Sequence, residues 1–151
     1  DVAFGNSKFV ASGAVGAIQI SPNNGGSWTT GNSGTSTNTL YGITFGNNQF
    51  FSVGNSGKII ISGDNGSTFS NVSSPVTKNL YSVAFGNNIF VGVGYKTVVV
   101  SNNDGSTVIE KENTLTFNDV TFGNGVFAAV GDDENIYTST DGDTWTKVYG
   151  K

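Results

Sequence analysis

Short bursts of alternating apolar and polar residues run along the chain and return at a nearly fixed interval. In Tyr41-Gly-Ile43-Thr-Phe45 the alternation puts Ile43 and Phe45 on one face of an extended segment; Val2/Phe4, Val83/Phe85 and Val120/Phe122 repeat it. Each burst ends in Phe-Gly-Asn, at Phe4-Gly5-Asn6, Phe45-Gly46-Asn47, Phe85-Gly86-Asn87 and Phe122-Gly123-Asn124. Five residues beyond each anchor stands another Phe (Phe9, Phe50, Phe90, Phe127), and nine beyond it a Gly (Gly13, Gly54, Gly94, Gly131). Gly and Asn tolerate the left-handed backbone of tight hairpins, so the Gly-Asn pair predicts a turn between two strands. A third apolar run follows in each copy: Ile18-Gln-Ile20, Ile59-Ile-Ile61, Val98-Val-Val100 and Ile136-Tyr137. A second hairpin and a short fourth strand complete the unit.

Four copies of a roughly 40-residue, four-stranded unit cannot each bury two faces alone, so they must stack. β-Solenoids use shorter periods, of about 20–30 residues, whereas radial stacking of such units gives a β-propeller. The fold expected is all-β: a β-propeller built of four 4-stranded antiparallel blades per chain, forming one domain over residues 1–151. The blades are placed at about residues 1–38, 39–78, 79–115 and 116–151. Three modes of assembly stay open: a four-bladed ring, half of an eight-bladed dimer, or a piece of a longer array.

Composition sharpens the fold and removes chemistry. Gly, Asn, Ser and Thr make up about half the chain, and charged residues only 12%, against roughly 25% in an average domain. The 151 residues contain no His, Cys, Met or Arg. Thiolate chemistry and the usual zinc and copper ligands are therefore missing. The absence of Met leads to the expectation of a processed product or an excised piece. Net charge is −4 without a basic cluster, so nucleic acid is not an expected partner. No apolar run reaches the 18 or so residues of a membrane-spanning helix.

The second hairpin is the most specific local signal. It reads Ser21-Pro-Asn23-Asn-Gly25-Gly-Ser-Trp28, Ser62-Gly-Asp64-Asn-Gly66-Ser-Thr-Phe69, Ser101-Asn-Asn103-Asp-Gly105-Ser-Thr-Val108 and Thr138-Ser-Thr140-Asp-Gly142-Asp-Thr-Trp145. This resembles the Asp-box (Ser-x-Asp-x-Gly-x-x-Trp) of the bacterial-neuraminidase-type repeat proteins, with Asn or Thr replacing Asp in three copies. The resemblance implies a structural role, in which Ser and Asp side chains bond turn amides and the aromatic packs beneath. The wider Phe-Gly-Asn…Phe-Val-x-Val-Gly pattern is similar to repeats of secreted bacterial proteins and of phage tail or receptor-binding proteins.

Sialidase activity is not expected, because such enzymes hold the substrate carboxylate with arginines and this chain has none. The one acidic cluster, Asp132-Asp133-Glu134, falls in a loop of the last copy without counterparts in the others. It reads as a solvated turn, with a weak calcium site as the minor alternative; no cofactor is expected. Trp28, Phe69 and Trp145 occupy equivalent positions and read as hairpin plugs, or else as sugar-stacking platforms. Alternating strands put both hairpins of each blade on one face, and the second-to-third-strand turns and blade connections on the other. The second face varies between copies, and variable loops on a rigid scaffold are where binding sites are built. The candidate ligand-binding residues are therefore Asn55, Tyr95, Lys96, Asp132, Asp133 and Glu134. The function expected is a non-enzymatic, extracellular or virion-surface binding module for a glycan or cell-surface ligand. The alternatives are a self-assembling structural subunit, with homo-oligomers as partners, and an engineered or excised propeller fragment.

Overall fold

The structure, a computed structural model, describes every residue except Ser36, Glu112, Asp133 and Lys151. The strands fall into four antiparallel sheets, each in simple sequential order. Blade one holds β1 (Val2–Gly5), β2 (Lys8–Ser12), β3 (Ile18–Ser21) and β4 (Thr29–Thr30); blade two holds β5 (Leu40–Gly46), β6 (Gln49–Gly54), β7 (Ile59–Ser62) and β8 (Ser70–Asn71). Blade three comprises β9 (Leu80–Gly86), β10 (Ile89–Gly94), β11 (Thr97–Ser101) and β12 (Val108–Lys111). Blade four comprises β13 (Phe117–Gly123), β14 (Val126–Gly131), β15 (Ile136–Ser139) and β16 (Thr146–Tyr149). This is a four-bladed β-propeller chain, with the first strand of each blade innermost, packed on the first strand of the next.

The first hairpin turns on two left-handed residues: Asn6-Ser7, Asn47-Asn48, Asn87-Asn88 and Asn124-Gly125 all have positive φ, the geometry of a type I′ turn. The conserved-spacing glycine before them is not one of the turn residues. Gly5, Gly46, Gly86 and Gly123 close the first strands, and three of them serve a different purpose. A Cβ on Gly5 would land on the ring of Phe45, one on Gly46 on Phe85, and one on Gly86 on Phe122. The glycine of each blade is thus the seat for the anchor phenylalanine of the next.

The same joint carries two further contacts. Asn6 Nδ2 donates to Asn65 Oδ1 (2.9 Å), Asn47 Nδ2 to the Asn103 carbonyl (3.0 Å) and Asn87 Nδ2 to the Thr140 carbonyl (2.9 Å). Each bond ties the first hairpin of one blade to the second hairpin of the following blade. Nearby, a Cβ on Gly66 would come within 2.6 Å of Val10, and one on Gly142 within 2.7 Å of Val91. The second hairpin therefore also lies flush on the preceding sheet.

Buried side chains form three cores, one between each pair of successive blades. Val10, Ile18, Ile43, Phe50 and Phe69 lie in the first, Phe51, Val53, Ile59, Leu80 and Phe90 in the second, and Val91, Val98, Phe117, Phe127 and Tyr137 in the third. Burying each such side chain contributes about 1.5–3 kcal/mol. Among the described residues, blades four and one have no comparable joint, and the arc is open there: nothing lies within 4 Å of a Cβ built on Gly123.

Gly46→Ala is expected to destabilise the protein by about 1–3 kcal/mol in urea unfolding, through overpacking against Phe85. Gly63→Ala, whose Cβ would meet nothing within 4 Å, should stay within about 0.5 kcal/mol of the parent. Equal effects at the two positions would refute the seating role of Gly46.

Candidate functional site

The second hairpins are held by side chain to backbone bonds. In blade two, Gly66 N donates to Ser62 Oγ (2.9 Å), Ser62 Oγ donates to Asp64 Oδ1 (2.7 Å), and Thr68 N donates to the same oxygen (2.9 Å). Blade one repeats this with Ser21, Asn23, Gly25 and Ser27. The last two blades shift the register given by their sequence alignment. In blade three Asn102, not Asn103, accepts from Thr107 N (3.0 Å), while Asn103 offers its carbonyl to Asn47. In blade four the pair is Ser139 and Asp141, not Thr138 and Thr140: Ser139 Oγ accepts from Gly142 N (2.8 Å) and Asp141 Oδ1 from Thr144 N (3.0 Å). The hairpin there reaches its glycine three residues after the serine instead of four, so the bonding serine moves one place along.

These bonds set the carboxyl chemistry. Burial alone would raise Asp64, but hydrogen bonds from Thr68, Ser62 and Ser67 outweigh it and hold the carboxyl below its ordinary range. The Thr144 and Asp143 amides do the same for Asp141, and the Ser106 hydroxyl and amide for Asp104. All three are thereby fixed as ionised turn acceptors and are poor general acids.

The plugging aromatics are not equivalent platforms. Phe69 is buried, and Trp145 leans on Phe117 at 5.0 Å between centroids while Nε1 donates to the Gly142 carbonyl (3.0 Å). Of the three, only Trp28 stands out into solvent. A ring of sugar-stacking rings, one per blade, is therefore not formed.

The sequence-derived binding residues are strung along the opposite face, one turn per blade. Asn55 Oδ1 is occupied by Thr39 N (3.0 Å) and Asn38 Nδ2 (3.1 Å), pinning the blade connection. Tyr95 is exposed, with Lys96 Nζ 5.6 Å from its ring centroid. Asp132 Oδ1 accepts from Asn118 Nδ2 (2.6 Å), Glu134 is exposed with φ 58°, and Asp133 lies outside the described residues. Among the described ones, no hydrogen bond or ring contact joins the residues of one turn to those of the next. Among the described residues, no cluster of three or more acidic side chains is placed to hold a metal.

A concavity lies between blades three and four. It is a crevice of about 630 Å³ lined by Lys78, Glu110, Asn113, Leu115, Asp143 and Trp145, with Thr114 beside them. Leu115 and Trp145 belong to the edge of the third core and make its apolar floor. The rim carries two ion pairs, Lys78–Glu110 at 3.3 Å and Lys111–Asp143 at 2.8 Å; Glu110 also accepts from Thr97 Oγ1 (3.1 Å). Such partly exposed pairs contribute at most about 1 kcal/mol each, so they can open to a ligand at little cost. Lys78 Nζ also bonds the Lys96 carbonyl (2.9 Å), linking the crevice to Tyr95 and Lys96. Tyr41 and Tyr81, whose rings meet edge-on at 5.9 Å, open the first strands of blades two and three on that same face.

No protein-family model matches the chain, and no curated protein matches it. Solved structures do. A structure titled YCF48 bound to D1 peptide superposes with a TM-score of 0.77 at 15% identity, covering 97% of this chain and 52% of that one. YCF48 from Cyanidioschyzon merolae gives 0.67 at 13% identity, covering 98% and 58%. The likeness is one of fold, and the chain spans about half the length of these structures.

The depressed Asp64 carboxyl gives a signed prediction. A carboxyl whose folded pKa lies below its unfolded value adds stability above the unfolded pKa, and loses it as pH falls through the folded one. Asp64→Asn keeps the turn acceptor, as Asn23 does in blade one. The melting temperature of the parent should therefore exceed that of the variant above about pH 5, and the gap should close below about pH 4. A gap independent of pH would refute the assignment.

Proposed function

We propose that the protein is a non-catalytic, cofactor-free binding module that holds a peptide segment in the crevice between its third and fourth blades. The observation that carries this reading is the composition of that crevice. An apolar floor of Leu115 and Trp145 under a rim of paired charges of both signs suits an apolar side chain on a polar, hydrogen-bonding backbone. The likeness in fold to a propeller solved with a bound peptide supports it. Both crevice carboxylates, Glu110 and Asp143, are engaged by lysines, which speaks against a free acid–base pair.

The bonding of the second hairpins supports the Asp-box reading of the repeat as a fold device. Polar, Cys-free composition with few Lys supports an extracellular or virion surface as its setting. A glycan ligand is the second reading, favoured by the Trp145 ring on the crevice floor.

A displayed library of random 12-residue peptides and a glycan array, read with the same sample, separate the two. Peptides with an apolar residue near charges should be enriched. Leu115→Asp and the exposed Lys78→Glu should each weaken them about tenfold, a loss of about 1.4 kcal/mol, with melting curves kept. Silence on peptides with signal on glycans would transfer the site to sugars. Unchanged peptide affinity in both variants would remove it from the crevice.

A further inference from the structure

We infer that two copies of this chain join head to tail, Phe4 of each seated on Gly123 of the other, closing an eight-bladed ring. The inference is independent of the peptide reading and concerns a different surface. It rests on the rules of the three joints within the chain. At every joint the blade that comes first supplies an open glycine, an Asn donor and a flat second-strand position. The following blade supplies the anchor Phe, the acceptor in its second hairpin and the glycine of that hairpin.

Both halves of a fourth joint are present in the chain, and no described residue fills the seat at Gly123. On blade four, the seat at Gly123 meets nothing within 4 Å. On blade one, Phe4 is 55% exposed, and Gly25, the counterpart of Gly66 and Gly142, also meets nothing. Repeat positions that are buried elsewhere are bare only here. Val2 is 54% exposed, whereas Ile43, Val83 and Val120 are 4–6%. Val130 is 45% exposed against 0% for Val53 and Val93, and Trp28 is 43% exposed against 7% for Phe69.

A polar contact recurs as well. Asp1 Oδ2 accepts from Ile43 N in blade two (2.9 Å), and Ser82 Oγ from Val120 N in blade four (3.3 Å). Asp119 occupies the same repeat position in blade four; its Oδ1 accepts from Ser82 Oγ (2.6 Å) and Val120 N (2.9 Å), and its exposed Oδ2 would share Val2 N of a second copy with that copy's Asp1 Oδ1, as Ser82 Oγ shares Val120 N with Asp119. Asn124 likewise corresponds to Asn6, Asn47 and Asn87, and would meet the Asn23–Asn24 turn.

The two faces are therefore complementary in apolar content, in shape and in hydrogen bonding, and the matching partner of each is the other end of this same chain. Head-to-tail contacts make a ring where the rotation closes and a filament where it does not. Two copies give eight blades, within the range of about 4–8 seen in propellers, and three would exceed it.

Light scattering and sedimentation velocity on this 151-residue chain should give twice the 15.6 kDa mass, with dissociation on dilution. Gly123→Val fills the seat. Since Gly123 lacks a positive φ and its Cβ meets open space, the variant should keep its circular dichroism spectrum and run as a monomer. Phe4→Asp should do the same. Because the chain has no cysteine, Phe4→Cys and Gly123→Cys chains should form a cross-linked pair on oxidation when mixed, and far less when separate. A parent that stays monomeric at every concentration overturns the inference. So does a dimer indifferent to both substitutions, and a ladder of larger species overturns the closed ring.

Discussion

The contact on which the molecule depends is a phenylalanine ring laid on a bare glycine. Sheets packed face to face ordinarily stand about 10 Å apart, the distance set by two layers of side chains. Blades arranged about an axis must come closer at their inner strands than at their outer ones. Removing the side chain at Gly5, Gly46 and Gly86 permits that approach, and Phe45, Phe85 and Phe122 fill the space so created. The anchor rings then sit about 4.8 Å from the next Phe of their own blade, as Phe45 does on Phe50 and Phe122 on Phe127. One ring thus braces its own hairpin and the sheet before it. The three interblade cores are the outward continuation of these three contacts.

The sequence pattern carried the blade count, the strand order and the division into two faces, because each follows from a spacing repeated four times. It misassigned the anchor glycine to the turn, since a glycine beside an asparagine signals hairpin conformation as readily as close packing. The structure shows Asn47-Asn48 making the turn and Gly46 receiving a ring. Only knowledge of the neighbouring blade separates those roles. The hairpin registers at Asn102 and Ser139 were hidden for a related reason: Asn and Ser are abundant there, and one residue more or less in the loop decides which side chain reaches the amides.

The crevice was the least legible feature. Lys78, Glu110, Leu115 and Trp145 come from two blade connections, an outer strand and a hairpin, and no repeat spacing relates them. Lys78 and Leu115 lie in segments whose only regularity is that they differ between blades. The sequence reading named the second-to-third-strand turns, whereas the crevice draws on two blade connections, at Lys78 and at Asn113 to Leu115. Two of the polar side chains there bond nearby segments: Asn55 holds a connection, and Asp132 accepts from Asn118.

Repetition and variation therefore divide the chain between them. Where the four copies agree, a residue is committed to its neighbour: Phe to glycine, Asn to hairpin, Ser to Asx. Trp145 shows how a crevice arises from a small departure. In blade two the equivalent ring, Phe69, is covered, and the backbone of Asn32 pairs with Ser67 and Phe69 over it. In blade four the larger indole fixes itself by donating to Gly142 and leaves part of its surface open beside Leu115 and Asp143. The same position thus plugs one blade and floors a crevice in another. The difference between the two lies in what the preceding blade lays over the ring, which makes the blade connections, and not the blades, the variable that would set what each joint can bind.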